Sequence, residues 1–347
     1  MYILAPMAEL SHRALRELIE GFFNEGESRG TFGPAPPRPA VSPAPRGKNV
    51  QATPLCGDTP QRPEYYTEMI SAAGLLSGGP FEKWYLDGGP CPERLVYQLL
   101  GADPGKLAPA AALLDRRDCL GIDINMGCAA PAITRTGAGV KLMEDIDKAG
   151  RIVAAIRKVT TKRLSIKLRL GTRCLAPVFG RLLAFCRRLE SEGADRIALH
   201  PRFADEKFKR RARWDYVDAL RAGLSIPVAG NGDISSAGEL VLRARDGPVM
   251  AGRLAVKEPW VFALAGTVCP PAGPLEETAH KFLDLLSRHQ PPEFHLSRAR
   301  RFFRYYCDNF TWAEYLRNKI NRARTLSGIG RIISEYCREN PQPGQNP

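Results

Sequence analysis

Gly121-Ile122-Asp123-Ile124-Asn125-Met126-Gly127-Cys128 reads as a buried β-strand that runs straight into a cysteine. Ile122 and Ile124 frame a short apolar run, and Asn125 ends it. Gly127 lets the backbone turn tightly, which leaves Cys128 at the mouth of the next loop. An α/β barrel carries its chemistry just beyond the carboxyl ends of its strands, and this thiol falls there. The plainer alternative is a cysteine used only for packing. The rest of the chain weighs between the two.

Outward from this stretch, strand and helix signals alternate. Strands are expected at Tyr2–Ala5, Tyr66–Met69, Leu95–Leu99, Leu164–Arg169, Arg196–His200, Pro227–Gly230 and Gly247–Ala251. Helices are expected at Pro104–Asp115, Ile146–Val159, Pro177–Glu192, Asp215–Ala222 and Ser236–Arg245, with Ser11 capping an earlier one that ends near Glu20. Roughly eight βα units predict a (β/α)8 TIM barrel over 1–273. No GxGxxG follows a strand, which argues against a doubly wound dinucleotide fold. Between Asn24 and Glu64 lie nine prolines and five glycines, a composition expected to form a disordered insertion rather than a Pro-rich ligand.

After Pro274 strand signals vanish. Leu275–Arg288 and Ala299–Cys337 read as helices, which gives a smaller all-helical domain over 274–340 and a disordered tail at 341–347. Arg298 to Arg338 holds ten basic residues against three acidic ones. Phe302, Phe303, Tyr305, Tyr306, Phe310, Trp312 and Tyr315 are interleaved among them. An amphipathic bundle explains the aromatics. The one-sided charge, in a chain of net charge +13, points to a polyanion partner. Nine scattered cysteines without a CxxC pair imply free thiols in a reducing cytoplasm. The five histidines form no metal-binding pattern, so no metal is expected. No run is long enough to span a membrane, and Met1 to Leu10 does not read as a signal peptide.

Polar residues end most of the strands: Glu68, Gln98, Asn125, Lys167, Arg169, His200, Arg202, Asn231-Gly232-Asp233 and Gly252-Arg253. In a barrel these ends share one mouth, so they would face a common ligand. The last two groups follow strands seven and eight, where barrels often hold phosphate. A phosphorylated flat cofactor such as FMN fits. Ala5-Pro6-Met7 would supply a floor for its ring, and Gln98 and Lys167 would meet its pyrimidine edge.

Ala5-Pro6-Met7, Tyr66-Thr67-Glu68-Met69, Gln98-Leu99-Leu100-Gly101 and Asp123-Ile124-Asn125-Met126-Gly127-Cys128 resemble motifs of the tRNA-dihydrouridine synthases. So do Lys167-Leu168-Arg169-Leu170-Gly171, His200-Pro201-Arg202, Asn231-Gly232-Asp233-Ile234 and Gly252-Arg253. The resemblance covers nearly the whole chain outside 24–64. It implies an FMN barrel followed by a helical tRNA-binding domain, with NADPH reducing the flavin. Hydride would pass from flavin N5 to uridine C6, and Cys128 would protonate C5. A thiol, with an ordinary pKa of about 8.5, keeps its proton at neutral pH and can serve as an acid. Ala5, Pro6, Met7, Gln98, Asn125, Lys167, His200, Asn231, Gly232, Asp233, Gly252 and Arg253 would hold the cofactor. Glu68, Arg169, Arg202, Arg317, Lys319, Arg322 and Arg324 would contact tRNA, and the chain is expected to act as a monomer.

Three departures stand out. Pro usually follows the family's cysteine and Lys stands four residues after it; here these are Ala129 and Ala132, with Arg135 a candidate substitute for the Lys. Pro201 replaces a glycine. Two other readings remain open: an FMN barrel acting on a small molecule, and a catalytically weakened tRNA-binding flavoprotein.

Overall fold

The alternation in Gly121–Met126 has a structural cause. Ile122, Ile124 and Met126 point outward into the apolar layer beneath the helices, while Asp123 and Asn125 point into a barrel. Leu164, Ile166 and Leu168 repeat the pattern on the next strand and leave Ser165 and Lys167 inside. The computed structural model describes residues 1–28, 61–172, 178–206, 209–265 and 275–340. Most of the expected insertion, the 273/274 boundary and the 341–347 tail lie outside the described residues.

Eight parallel strands close into one barrel in chain order. They are β1 (Tyr2–Leu4), β2 (Glu64–Ser71), β3 (Leu95–Leu100), β4 (Gly121–Met126), β5 (Arg163–Leu168), β6 (Arg196–Leu199), β7 (Val228–Asn231) and β8 (Val249–Ala251), with β8 pairing to β1. The register of β4 against β5 pairs Asp123 with Ser165 and Asn125 with Lys167. A small apolar cluster including Ile3, Tyr66, Val96 and Met250 fills the barrel centre. At the amino ends Glu64 is gripped by Arg163 at 2.8 and 2.6 Å and by Arg196 at 2.6 Å. A bulge between Tyr66 and Met69 breaks the β2–β3 ladder, and the Thr67 hydroxyl takes over by accepting the Gln98 N–H at 3.0 Å.

The first helix departs from expectation. It spans Arg13–Ser28, because Phe22 and Phe23 extend its buried face past Glu20. Ser11 does not cap it. Its hydroxyl instead accepts from Met7 N at 2.9 Å and fixes the turn after β1.

The C-terminal region forms helices Leu275–His289, Pro292–Tyr306, Ala313–Arg322 and Leu326–Glu339. The expected single helix over Ala299–Cys337 is therefore broken twice. A 3-10 turn at Cys307–Asn309 interrupts it first, and Thr325 then caps a new helix by accepting from Gly328 N at 3.0 Å. Phe282 stacks on Phe302 with centroids 3.7 Å apart, and Phe303 meets Phe282 edge-on. These aromatics belong to the same buried cluster as the outer face of the barrel. Among the described residues no helix is long and apolar enough to cross a membrane.

Candidate active site

A directional chain of hydrogen bonds ties the barrel interior to the cysteine loop. Ser165 Oγ donates to Asp123 Oδ1 at 2.6 Å, and Gln98 Nε2 donates to Asp123 Oδ2 at 2.7 Å. Asn125 Nδ2 donates to Gln98 Oε1 at 2.9 Å. Asn125 Oδ1 then accepts the backbone N–H groups of Gly127 at 3.2 Å and Cys128 at 2.9 Å. Each amide orientation follows from its neighbour, because the backbone N–H groups of Gly127 and Cys128 can only donate and so fix the Asn125 oxygen toward them. Burial pushes the Asp123 carboxyl up to about 7, against the pull of Ser165 and Gln98. On the far side the Cys128 carbonyl accepts from Val140 N at 2.9 Å. Gly139, at φ +63°, passes so close that an added Cβ would sit 2.4 Å from that carbonyl.

Beside this chain lies a cavity of about 600 Å³ at the carboxyl ends of the strands. Its size suits a small molecule or cofactor. Ala5, Pro6 and Met7 line one side, Lys167, Arg169 and His200 another, and Asn231, Gly232, Asp233, Gly252 and Arg253 a third. The structure thus brings together most residues expected to hold a cofactor. Gln98 and Asn125 are exceptions. They are buried, committed to the chain just described, and do not line the cavity.

Two cations line the cavity and make no ion pair among the described residues. Lys167 has no hydrogen bond among the described residues, and burial, reinforced by Arg169, lowers its ammonium to about 8. Arg169 keeps a buried Nη1 with no hydrogen-bond partner among the described residues. Cys128 does not line the cavity; it stands two residues beyond the end of β4, which pairs with the strand that carries Lys167. Burial and the cations Lys167, Arg169, Arg202 and Arg253 hold His200 far below its ordinary range, so its ring is neutral. Arg202 Nη1 lies 2.8 Å from His200 Nε2 and can only donate, which places the ring proton on Nδ1.

Two expected RNA contacts, and the candidate substitute Arg135, take other roles. Arg202 is 1% exposed and forks onto Asp233 at 2.5 and 2.6 Å, so it braces His200 and the β7 loop instead of reaching RNA. Burial acts to raise Asp233, but Arg202, the Ala212 N–H and Arg253 outweigh it and hold the carboxyl low. Asp233 and Gly232 both have positive φ, 53° and 117°, and a side chain at Gly232 would meet His200 Cδ2 at 2.8 Å. Glu68 is 4% exposed and pairs with Arg298 of the C-terminal region at 2.6 Å, which removes it from any substrate surface. Arg135 turns back onto the Pro131 carbonyl at 3.2 Å, away from the cavity.

Sequence reading missed a second cleft of about 700 Å³, lined by Arg300, Arg301, Arg304, Arg317 and Asn321. It shares Tyr305 and Asp308 with the first cavity, so the two are neighbours with a common wall. Of the expected RNA contacts, Arg317 lines this cleft but pairs with Asp308 and Glu314. Lys319, Arg322 and Arg324 do not line it. The missed signal was the helical spacing of Ser297, Arg300, Arg301, Arg304 and Tyr305 along one face. Among the described residues no His, Cys, Asp and Glu group is arranged to hold a metal.

The family model for dihydrouridine synthases matches residues 3–338. The chain is 29% identical over 259 residues to tRNA-dihydrouridine synthase B of Xanthomonas campestris pv. campestris, covering 71% of this chain and 76% of that protein. It is 28% identical over 359 aligned positions to a probable tRNA-dihydrouridine synthase of Mycobacterium leprae, covering 98% and 89%. It is 33% identical over 172 residues to the tRNA-dihydrouridine(16) synthase of Cupriavidus necator, covering 48% and 52%.

Proposed function

The chain belongs to the dihydrouridine synthase family, and from that premise we propose that it reduces particular uridines of tRNA to 5,6-dihydrouridine with FMN and NADPH. The observation that carries this reading is the adjacency of the two clefts across Tyr305 and Asp308. A small site with unpaired donors adjoins an arginine-rich surface that a small substrate would not need.

The donor set fits FMN. Lys167 and the unpartnered Arg169 Nη1 call for oxygen acceptors, and Gly232, Gly252 and Arg253 offer a tight, cationic seat for phosphate. When bound and reduced by NADPH, FMN supplies the hydride for uracil C6. Lys167 holds the pyrimidine edge of the cofactor, and neutral His200 contributes the Nδ1 proton as a donor. Arg169 reads the base. Cys128 gives its thiol proton to C5 and is reprotonated from solvent. Asn125 aims that thiol by fixing the Gly127 and Cys128 amides. The target base must leave its stack to enter, so Arg300, Arg301 and Arg304 grip the flanking phosphates.

A single-turnover assay tests this. Protein reconstituted with FMN and reduced by NADPH should form dihydrouridine in unmodified tRNA. Protein that cannot take up FMN overturns the cofactor assignment. A flavoprotein inert on tRNA favours the second reading, a catalytically weakened tRNA-binding flavoprotein. That reading has one observation behind it: Ala132 is exposed and Arg135 is turned away, so neither supplies a cation to the mouth.

A further inference from the structure

We propose that Trp312 and Tyr315 form a stacking platform for an unpaired base of the bound RNA, outside the reaction cavity. This rests on the tRNA reading above and adds a second base contact to it.

The aromatics of the C-terminal region divide into two sets. Phe302, Phe303, Tyr306 and Phe310 are core. Trp312 is 72% exposed, the most exposed large hydrophobic side chain among the described residues, and Tyr315 is 53% exposed. Packing therefore does not explain Trp312. Its backbone is also unfavourable, with φ 56° and ψ 38° in the left-handed region that suits glycine. It occupies the N-cap of the Ala313–Arg322 helix yet makes no side-chain capping bond, where Ser, Thr, Asp or Asn would. Two local rules are broken with no gain inside the chain, the pattern expected where a residue serves a ligand.

The backbone that carries the ring is anchored. Asn309 Nδ2 donates to the Lys257 carbonyl at 2.5 Å and to the Tyr306 carbonyl at 3.0 Å. Phe310 is buried against Tyr336, whose hydroxyl donates to the Thr311 carbonyl. The residues just before Trp312 are thus pinned to both the barrel and the helices.

The surroundings specify the partner's chemistry. Lys319 Nζ lies 4.8 Å from the Tyr315 ring centroid. Glu314 and Arg317, on the same helix, line the arginine cleft, as does Asp308, and Arg317 pairs with both acids. Exposed rings beside cations are how proteins grip single-stranded nucleic acid, with bases on the rings and phosphates on the cations.

The test uses the full chain with Trp312→Gly and Trp312→Phe. Glycine suits the left-handed backbone, so Trp312→Gly should keep or raise the Tm while weakening tRNA binding about 5- to 150-fold, the range of one base–aromatic stack. Trp312→Phe should recover most of that loss. Flavin content and NADPH oxidation should not change in either variant. Wild-type affinity in Trp312→Gly overturns the platform. A fall in Tm with unchanged affinity makes Trp312 a structural residue. A loss that Phe does not restore also overturns stacking. Wild-type protein that binds no tRNA refutes the tRNA reading itself.

Discussion

Asp123→Asn should make the chain less sensitive to pH. The buried carboxyl is pushed from 3.8 up to about 7 in the folded chain. Its folded pKa is raised, so the folded state holds the extra proton between about pH 4 and pH 7. Stability is then full below about pH 4 and falls as pH rises to about 7. At about 1.4 kcal/mol per pH unit the total is about 4 kcal/mol. With about 2.1 cal/mol/K of unfolding entropy per residue, that equals about 5 °C of Tm for 347 residues. Asparagine keeps the chain of bonds: its oxygen accepts from Gln98, and its amide donates to Ser165, whose hydroxyl can turn toward Tyr66 at 3.1 Å. The assay is thermal melting of both proteins from pH 4.5 to pH 8. The Tm of Asp123→Asn relative to wild type should rise by about 5 °C across that range. Parallel curves would mean that Asp123 ionises at no cost and that the reasoning from its burial is wrong.

Cys128→Ala should retain fold and flavin but slow dihydrouridine formation about 10²–10⁴-fold in single turnover, and equal rates would exclude the thiol as the acid. Arg301→Ala and Arg304→Ala should weaken tRNA binding and flatten its log–log salt dependence by about 0.7–0.9 for each lost phosphate contact. An unchanged slope would move the RNA surface toward Arg322 and Arg324. Arg298→Met strands the Glu68 carboxylate in the interior and should cost about 3–5 kcal/mol by denaturant titration, most of it recovered in the Glu68→Leu, Arg298→Met double variant. Additive losses in that pair would show that the two side chains do not act on each other.

The barrel was legible because its strands speak twice: Ile122 and Ile124 report the outer layer, while Asp123 and Asn125 report the mouth. Loop residues after β7 and β8 were legible for the same reason, since position at a strand end implies a shared cavity. What could not be read was pairing at long range. Glu68 and Arg298 are 230 positions apart, and each looks like a surface charge until the fold buries both. Arg202 carried a strand-end address but spends its guanidinium on Asp233 and His200. Gln98 and Asn125 stand at the expected strand ends but are hydrogen-bonded to each other and do not line the cavity. Their amides serve the loop that carries Cys128. The broken C-terminal helix had readable signs in Asn309 and Thr325, both residues that favour helix ends over helix interiors.

The Glu68–Arg298 pair sets a rule for recombining this chain with its relatives. A chimaera that takes the C-terminal helices from one parent and the barrel from another inherits either both charges or a stranded one. A stranded charge is a defect that no improvement of the joining segment can repair, because it sits at the β2 bulge and not at the crossover point. Residues 68 and 298 therefore have to travel as one genetic unit, since a chimaera left with one charge and not the other loses about 3–5 kcal/mol.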